Sequence, residues 1–194
     1  MKRLLIVATL LPVLVLSACG YGRTNSGGYI SGDGLVHAIP ESQRIPLTLT
    51  GTTLDGAAFD LASTRGKVTV INVWGAWCGE CLTEAPLLQQ AHTTLGDSVA
   101  FVGVDIRDTS VDQAKAYERN YGITYPSISS PDGKAMLAFT SYVSPRTIPA
   151  TLILDTQGRP AMIIRGTIPS ALTLTEAIGC VQNPAGAHCD ETSA

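Results

Sequence analysis

Val68-Thr69-Val70-Ile71-Asn72-Val73-Trp74 runs straight into Gly75-Ala76-Trp77-Cys78-Gly79-Glu80-Cys81-Leu82-Thr83-Glu84-Ala85-Pro86, and this stretch decides the fold. Its first seven residues are β-branched and nearly continuous in apolar character, as in a strand buried on both faces. From Glu80 to Leu95, the residues Leu82, Ala85, Leu88, Ala91 and Leu95 recur at helical spacing, with Gly96 as a stop. A Cys-x-x-Cys thus sits where a strand hands over to a helix. Unpaired N–H groups and the helix dipole favour a thiolate there, so Cys78 can act as a nucleophile near neutral pH. Two intervening residues bring Cys81 within reach across one turn, able to close a disulfide or resolve a mixed one. A CxxC can also be half of a zinc site, but no second CxxC or His pair stands at ligand spacing.

Outward from this centre the chain alternates strands and helices. Val99–Asp105 reads as a second core strand, Val111–Tyr121 as a helix capped by Ser110 or Thr109 and ended by Gly122. Residues 123–148 are less regular, with Pro126, Pro131 and Pro145 and a short helix around Lys134–Phe139. Ala150–Leu154 is a third core strand, turned at Thr156-Gln157-Gly158-Arg159 into a hairpin partner at Ala161–Arg165, and a last helix covers Leu172–Ile178. Upstream, Leu47–Thr50 and the region up to Leu61 suggest one or two short antiparallel strands. The order implies a layered α/β domain with a mixed sheet.

The chain has 194 residues, 45% apolar and 15% charged, with a net charge of −3 and no run of Lys or Arg. That composition excludes a disordered protein and argues against a nucleic-acid partner. The ends carry different information. Lys2 and Arg3 precede an apolar run from Leu4 to Leu16, too short for a bilayer span and typical of a signal peptide. Leu16-Ser17-Ala18-Cys19-Gly20 resembles the lipobox of bacterial lipoproteins, which implies cleavage before Cys19 and lipid on its sulfur. Loss of Lys2 and Arg3 would take the formal charge from −3 to −5, leaving acyl chains as the anchor. The expected organisation is a signal peptide at 1–18, a Gly/Ser-rich tether at 19–45, the folded domain at 46–180 and a tail at 181–194. Cys180 and Cys189 flank Pro184 and Gly186 in the tail and are expected to form a structural bridge pinning the C-terminus to the last helix, with two free thiols as the alternative.

The stretch from Val70 to Pro86, together with Thr147-Ile148-Pro149-Ala150-Thr151, resembles the thioredoxin superfamily, in its extracytoplasmic TlpA/ResA-like branch. The resemblance spans residues 45–180 and implies a thioredoxin-like fold with a mixed central sheet flanked by helices. It also implies an N-terminal β extension and a central insertion at about 107–135. By the same resemblance Pro149 is a cis-proline that presents Ile148 and Thr147 to an extended substrate, with Trp77 beside the sulfurs. Glu84 matches a glutamate that ResA-like members use near their thiols; a solvated helix glutamate is the plainer reading. Asn72 stands where thioredoxins carry a buried Asp, which departs from general thioredoxins. The implied function is a lipid-anchored thiol–disulfide oxidoreductase on the outer face of the bacterial cell membrane. Its implied task is reduction of apocytochrome c, with electrons from a membrane thiol carrier of the CcdA type. A disulfide-forming oxidase or a general extracytoplasmic thioredoxin is the alternative. A Sco-like copper module wants CxxxC and a downstream His, and a peroxidase wants Thr-x-x-Cys; neither pattern is present. No metal, flavin or nucleotide motif is visible, so no cofactor is expected beyond the cysteine pair, and a monomer is expected.

Overall fold

The computed structural model describes residues 35–186 and Cys189. The signal peptide and Cys19 expected from the sequence lie outside the described residues. The described residues hold eight strands and three α-helices, besides short 3-10 turns: β1 Val36–Ala38, β2 Thr50–Thr52, β3 Ala58–Asp60, β4 Val68–Trp74, α1 Gly79–Leu95, β5 Val99–Ile106, α2 Val111–Tyr121, β6 Ser127–Ser130, β7 Ala150–Leu154, β8 Pro160–Arg165 and α3 Ala171–Gln182. Six strands form one mixed sheet in the order β1-β8-β7-β4-β5-β6, while β2 and β3 form a separate hairpin. Strand β4 lies in the middle, parallel to β5 and antiparallel to β7. All seven of its residues are buried, which explains its unbroken apolar run.

One face of the sheet carries Val68 and Val70 against Leu88 and Ala91 of α1 and Leu174, Ala177 and Ile178 of α3. The other carries Ile71 and Val73 against Leu47, Leu49, Leu61 and Phe139. A third cluster joins the end of β4 to α2, with Trp74, Ala114 and Tyr117 around Cys78 and Cys81. The helix caps follow the sequence closely. Ser110 Oγ accepts from Gln113 N–H, Ser170 Oγ accepts from Thr173 N–H, and Gly122 closes α2 in the left-handed region at φ 65°.

Two boundaries differ from the sequence reading. The expected tether at 19–45 ends earlier, because β1 pairs with β8 and Val36 and Ile39 are buried. Three residues pairing with a finished edge can join a sheet without a strand-like run of their own. At the other end the folded domain passes residue 180. Helix α3 continues to Gln182, so Cys180 belongs to its last turn and not to a loop. Residues 107–135 hold α2 and β6, and β6 extends the sheet beside β5.

Candidate active site

The backbone leaves β4 at Trp74 and turns over four residues, Gly75 to Cys78, before α1 begins. Cys78 is the N-cap of α1: its Sγ accepts from the Cys81 amide at 3.2 Å, and Cys81 N–H also reaches Cys78 O at 3.1 Å. Cys78 and Cys81 are joined as a disulfide with Cα atoms 5.3 Å apart. Cys81 is fully buried and Cys78 nearly so, whereas the neighbouring Trp77 is 48% exposed. An incoming group therefore meets the bridge from the side of Cys78 and Trp77. The turn itself is tight: a Cβ on Gly75 would come within 2.9 Å of the Ile106 carbonyl oxygen and run into the Trp77 indole.

The walls come from three other elements. The Ile148–Pro149 bond is cis, Pro149 O accepts from Gly166 N–H at 3.0 Å, and Ile148 packs on the cluster containing both cysteines. Thr147 is half-buried and its N–H is bonded to Ser144 O at 2.9 Å. From α2, the Tyr117 hydroxyl donates to Cys81 O at 3.0 Å, and its ring stacks on Trp74 with centroids 4.1 Å apart. The Trp77 Nε1 donates to Ile106 O at 3.0 Å, so the exposed ring is held by its polar edge.

Glu84, one turn beyond Cys81, is fully buried and is not a solvated helix glutamate. Asn72 Nδ2 donates to its Oε1 at 2.7 Å and Ile168 N–H donates to its Oε2 at 3.1 Å. Asn72 is itself tied to Thr151 Oγ1 on β7 at 3.1 Å. Burial pushes the Glu84 carboxyl up to about 7, against the two hydrogen bonds that favour its charged form. A carboxyl at that value holds or releases a proton near neutral pH.

Sequence reasoning missed the far end of β5. Asp105 and Asp108 are buried at 1% and 5% exposure, and both Asp108 oxygens accept from Ala76 N–H at 3.1 Å. Arg107 lies between them at φ 60°, uncommon for a residue with a side chain, and its Nη2 donates to Pro145 O at 3.0 Å. The one signal in the sequence is an acid set inside an otherwise apolar strand.

Far from this site, Cys180 of α3 and Cys189 are also bridged, with Cα atoms 5.4 Å apart. Cys180 is part of the core shared by α1, α3 and the sheet. No helix among the described residues is long and apolar enough to cross a membrane.

A Cys-x-x-Cys bridge at the head of a helix, a buried acid one turn on and a cis Ile148–Pro149 bond whose Ile148 packs on the cluster of both cysteines define a protein of the thioredoxin-like fold. The chain belongs to the AhpC/TSA family, whose model matches residues 42–160. It is similar to the soluble secreted antigen MPT53 of Mycobacterium tuberculosis, 37% identical over 87 residues, covering 45% of this chain and 49% of that one. It is also similar to the thiol-disulfide oxidoreductase ResA of Geobacillus kaustophilus, 29% identical over 118 residues, covering 60% and 65%. The chain thus spans about half to two thirds of the length of these relatives. Among solved structures, a DsbF homologue from Corynebacterium diphtheriae superposes with a TM-score of 0.69 at 33% identity, covering 79% of this chain and 98% of that one.

Proposed function

We propose that the protein is a reductase of disulfides in proteins outside the cytoplasm, with c-type apocytochromes as substrates. Cys78 as thiolate attacks a substrate disulfide and forms a mixed disulfide, releasing one substrate thiol. Cys81 then attacks the Cys78 sulfur, the second substrate thiol leaves, and the Cys78–Cys81 bridge is formed. Two electrons pass to the substrate, and a membrane thiol carrier of the CcdA type restores the dithiol. Pro149, Ile148 and Thr147 seat an extended substrate segment by strand addition, with Trp77 as the apolar wall. Glu84 takes and returns the proton of Cys81. Cys19, lipidated after removal of residues 1–18, holds the domain at the outer face of the membrane.

The single observation that carries the reducing direction is Glu84, an acid buried one turn from the bridge and raised to about 7. Once ionised it opposes a thiolate beside it, and Glu80 in the first turn adds a second acid. A pair whose reduced form is not favoured in this way gives up electrons readily, the reverse of a strong oxidant. The similarity to ResA supports the same reading. A disulfide oxidase or isomerase is the second reading, supported by the likeness to the DsbF homologue. Trapping tests the substrate: Cys81→Ser leaves Cys78 unable to be displaced, so substrates stay attached. Apocytochromes c among the captured partners are expected; their absence while other proteins are captured would remove the substrate and keep the chemistry. Release of a Cys19→Ser variant from the membrane tests the anchor.

A further inference from the structure

Three arginines surround the loop that leads to Pro149. Ser144 O accepts from Thr147 N–H at 2.9 Å, which closes a tight turn with Pro145 and Arg146 at its corners. The turn is held twice more. Arg146 N–H donates to Ser144 Oγ at 3.3 Å, and the Arg107 guanidinium donates to Pro145 O at 3.0 Å. Arg165, the last residue of β8, lies opposite Ala150 in the sheet and donates to Tyr142 O at 3.3 Å. One cation thus directly precedes Thr147, one pairs with the residue after Pro149, and one grips the turn from just past β5. All three are exposed.

Among the described residues the ion pairs engage Lys115, Lys134 and Arg159, and none engages Arg107, Arg146 or Arg165. The acids bordering this region are committed elsewhere. Asp108 turns both oxygens to the Ala76 amide, Asp132 holds Lys134 at 2.7 Å, and Glu41 meets Arg159 at 3.5 Å. Beyond Arg165 and Tyr142 a groove of about 480 Å³ runs past Ile45 to His37, and no carboxylate lines it. A guanidinium keeps its charge at any working pH, so this edge stays cationic on a chain whose net charge is −3. Like charges held around one loop without counter-charges repel, and an incoming anion relieves that repulsion.

We propose that this arginine edge selects the exchange partner: a polypeptide whose disulfide is flanked by Asp or Glu, laid with those acids against Arg146 and Arg165. The selection acts at the Cys78–Cys81 couple and rests on its reading as the exchange centre, with Thr147–Pro149 as the substrate seat. An extended chain advances about 3.3 Å per residue, so acids about two to four positions from the partner's cysteine reach from Ile148 to the arginines. Arg107 is a positioning residue, since its guanidinium is spent on Pro145 O. Glu80, exposed in the first turn of α1, repels an acidic segment from the cysteine side and so orients it toward the arginines. Anionic lipid headgroups share this chemistry. The place of Arg146, next to the substrate seat on a chain of negative charge, favours the peptide.

Disulfide peptides of one sequence frame, with acidic, neutral or basic residues beside the cysteines, test this against the dithiol form of the protein. In each turnover the Cys78 and Cys81 thiols pass two electrons and two protons to the peptide disulfide and close into their own bridge. The acidic peptide should react about tenfold faster than the basic one at low salt. That ratio should approach one in about 1 M salt, where charges are screened beyond about 3 Å. Arg146→Glu combined with Arg165→Glu should invert the order, whereas a purely structural role would slow every peptide alike. A ratio near one at low salt, or one that the double variant leaves unchanged, would overturn the proposal. So would binding to vesicles containing phosphatidylglycerol that the double variant loses while all peptides react equally. Should that variant not fold, amide NMR of the oxidised wild type decides, using the acidic peptide with serines in place of its cysteines. Its binding should shift the Arg146, Thr147 and Ile148 amides, and shifts confined to other elements would refute the edge. This binding needs no exchange, so it stands or falls separately from the reductase reading.

Discussion

The chain holds two disulfides with nearly equal Cα separations, 5.3 Å for Cys78–Cys81 and 5.4 Å for Cys180–Cys189, in unlike surroundings. The first caps a helix, stands beside an exposed tryptophan and has buried acids on two sides. The second ties the last turn of α3 to the segment after it, with Cys180 sealed into the main core. Chemistry is therefore located by the neighbours of a bridge and not by the bridge. On the proposed function, a helix N-terminus, a proton carrier in Glu84 and a substrate seat at Pro149 make one exchangeable; a core contact and a closed loop make the other a staple.

The sharpest way to break this contrast is to open each bridge in turn. Cys78→Ser should lower disulfide exchange by at least about a thousandfold, since nucleophile and leaving group are both lost. Replacing Cys180 and Cys189 together by Ala should leave the exchange rate within about twofold, because neither touches the site. The cost there should appear as lost stability, about 2–3 kcal/mol for opening so short a loop, read by denaturant titration. If that double variant loses exchange while still folded, the division of labour between the bridges is wrong.

Smaller effects sharpen the role of the buried acid. Glu84→Gln should slow exchange on the order of tenfold and remove an inflection near pH 7 from its pH profile. The sign for stability is definite. A carboxyl whose folded value is raised binds its proton more tightly when folded, so its favourable contribution is present at low pH. That contribution is lost as pH rises from about 4.5, the ordinary value, through about 7. The variant should accordingly show a flatter stability curve across that window. Asn72→Ala removes the 2.7 Å hydrogen bond that favours the charged form, so the Glu84 midpoint should move up, by about one pH unit. A downward shift would show that Asn72 holds the neutral acid instead.

Legibility in the sequence followed how much of each element's signal was its own. Strand β4 and helix α1 were readable because a continuous β-branched run and a 3.6-residue period are local features, and Cys78 and Cys81 stood between them. Helix α2 was readable to the residue, since Ser110 and Gly122 cap it by chemistry that needs no partner. Strand β1 was not, because Val36–Ala38 borrows its pairing from β8 and follows Gly/Ser-rich sequence. Strand β6, Ser-Ile-Ser-Ser between Pro126 and Pro131, is polar and owes its place to β5. Within the site, the burial of Glu84 depends on Asn72 and on Ile168, which lies 84 residues away. The contact between Asp108 and Ala76 spans 32 residues, and no motif announces it.

The reduction potential of the Cys78–Cys81 couple, measured against a dithiol buffer at pH 7 in the variant lacking Cys180 and Cys189, tests the central claim most directly. An acid-flanked reductase should lie near the thioredoxin region of about −270 mV. A value near that of the strong oxidant DsbA, about −120 mV, would contradict the assignment and make the protein a donor of disulfides.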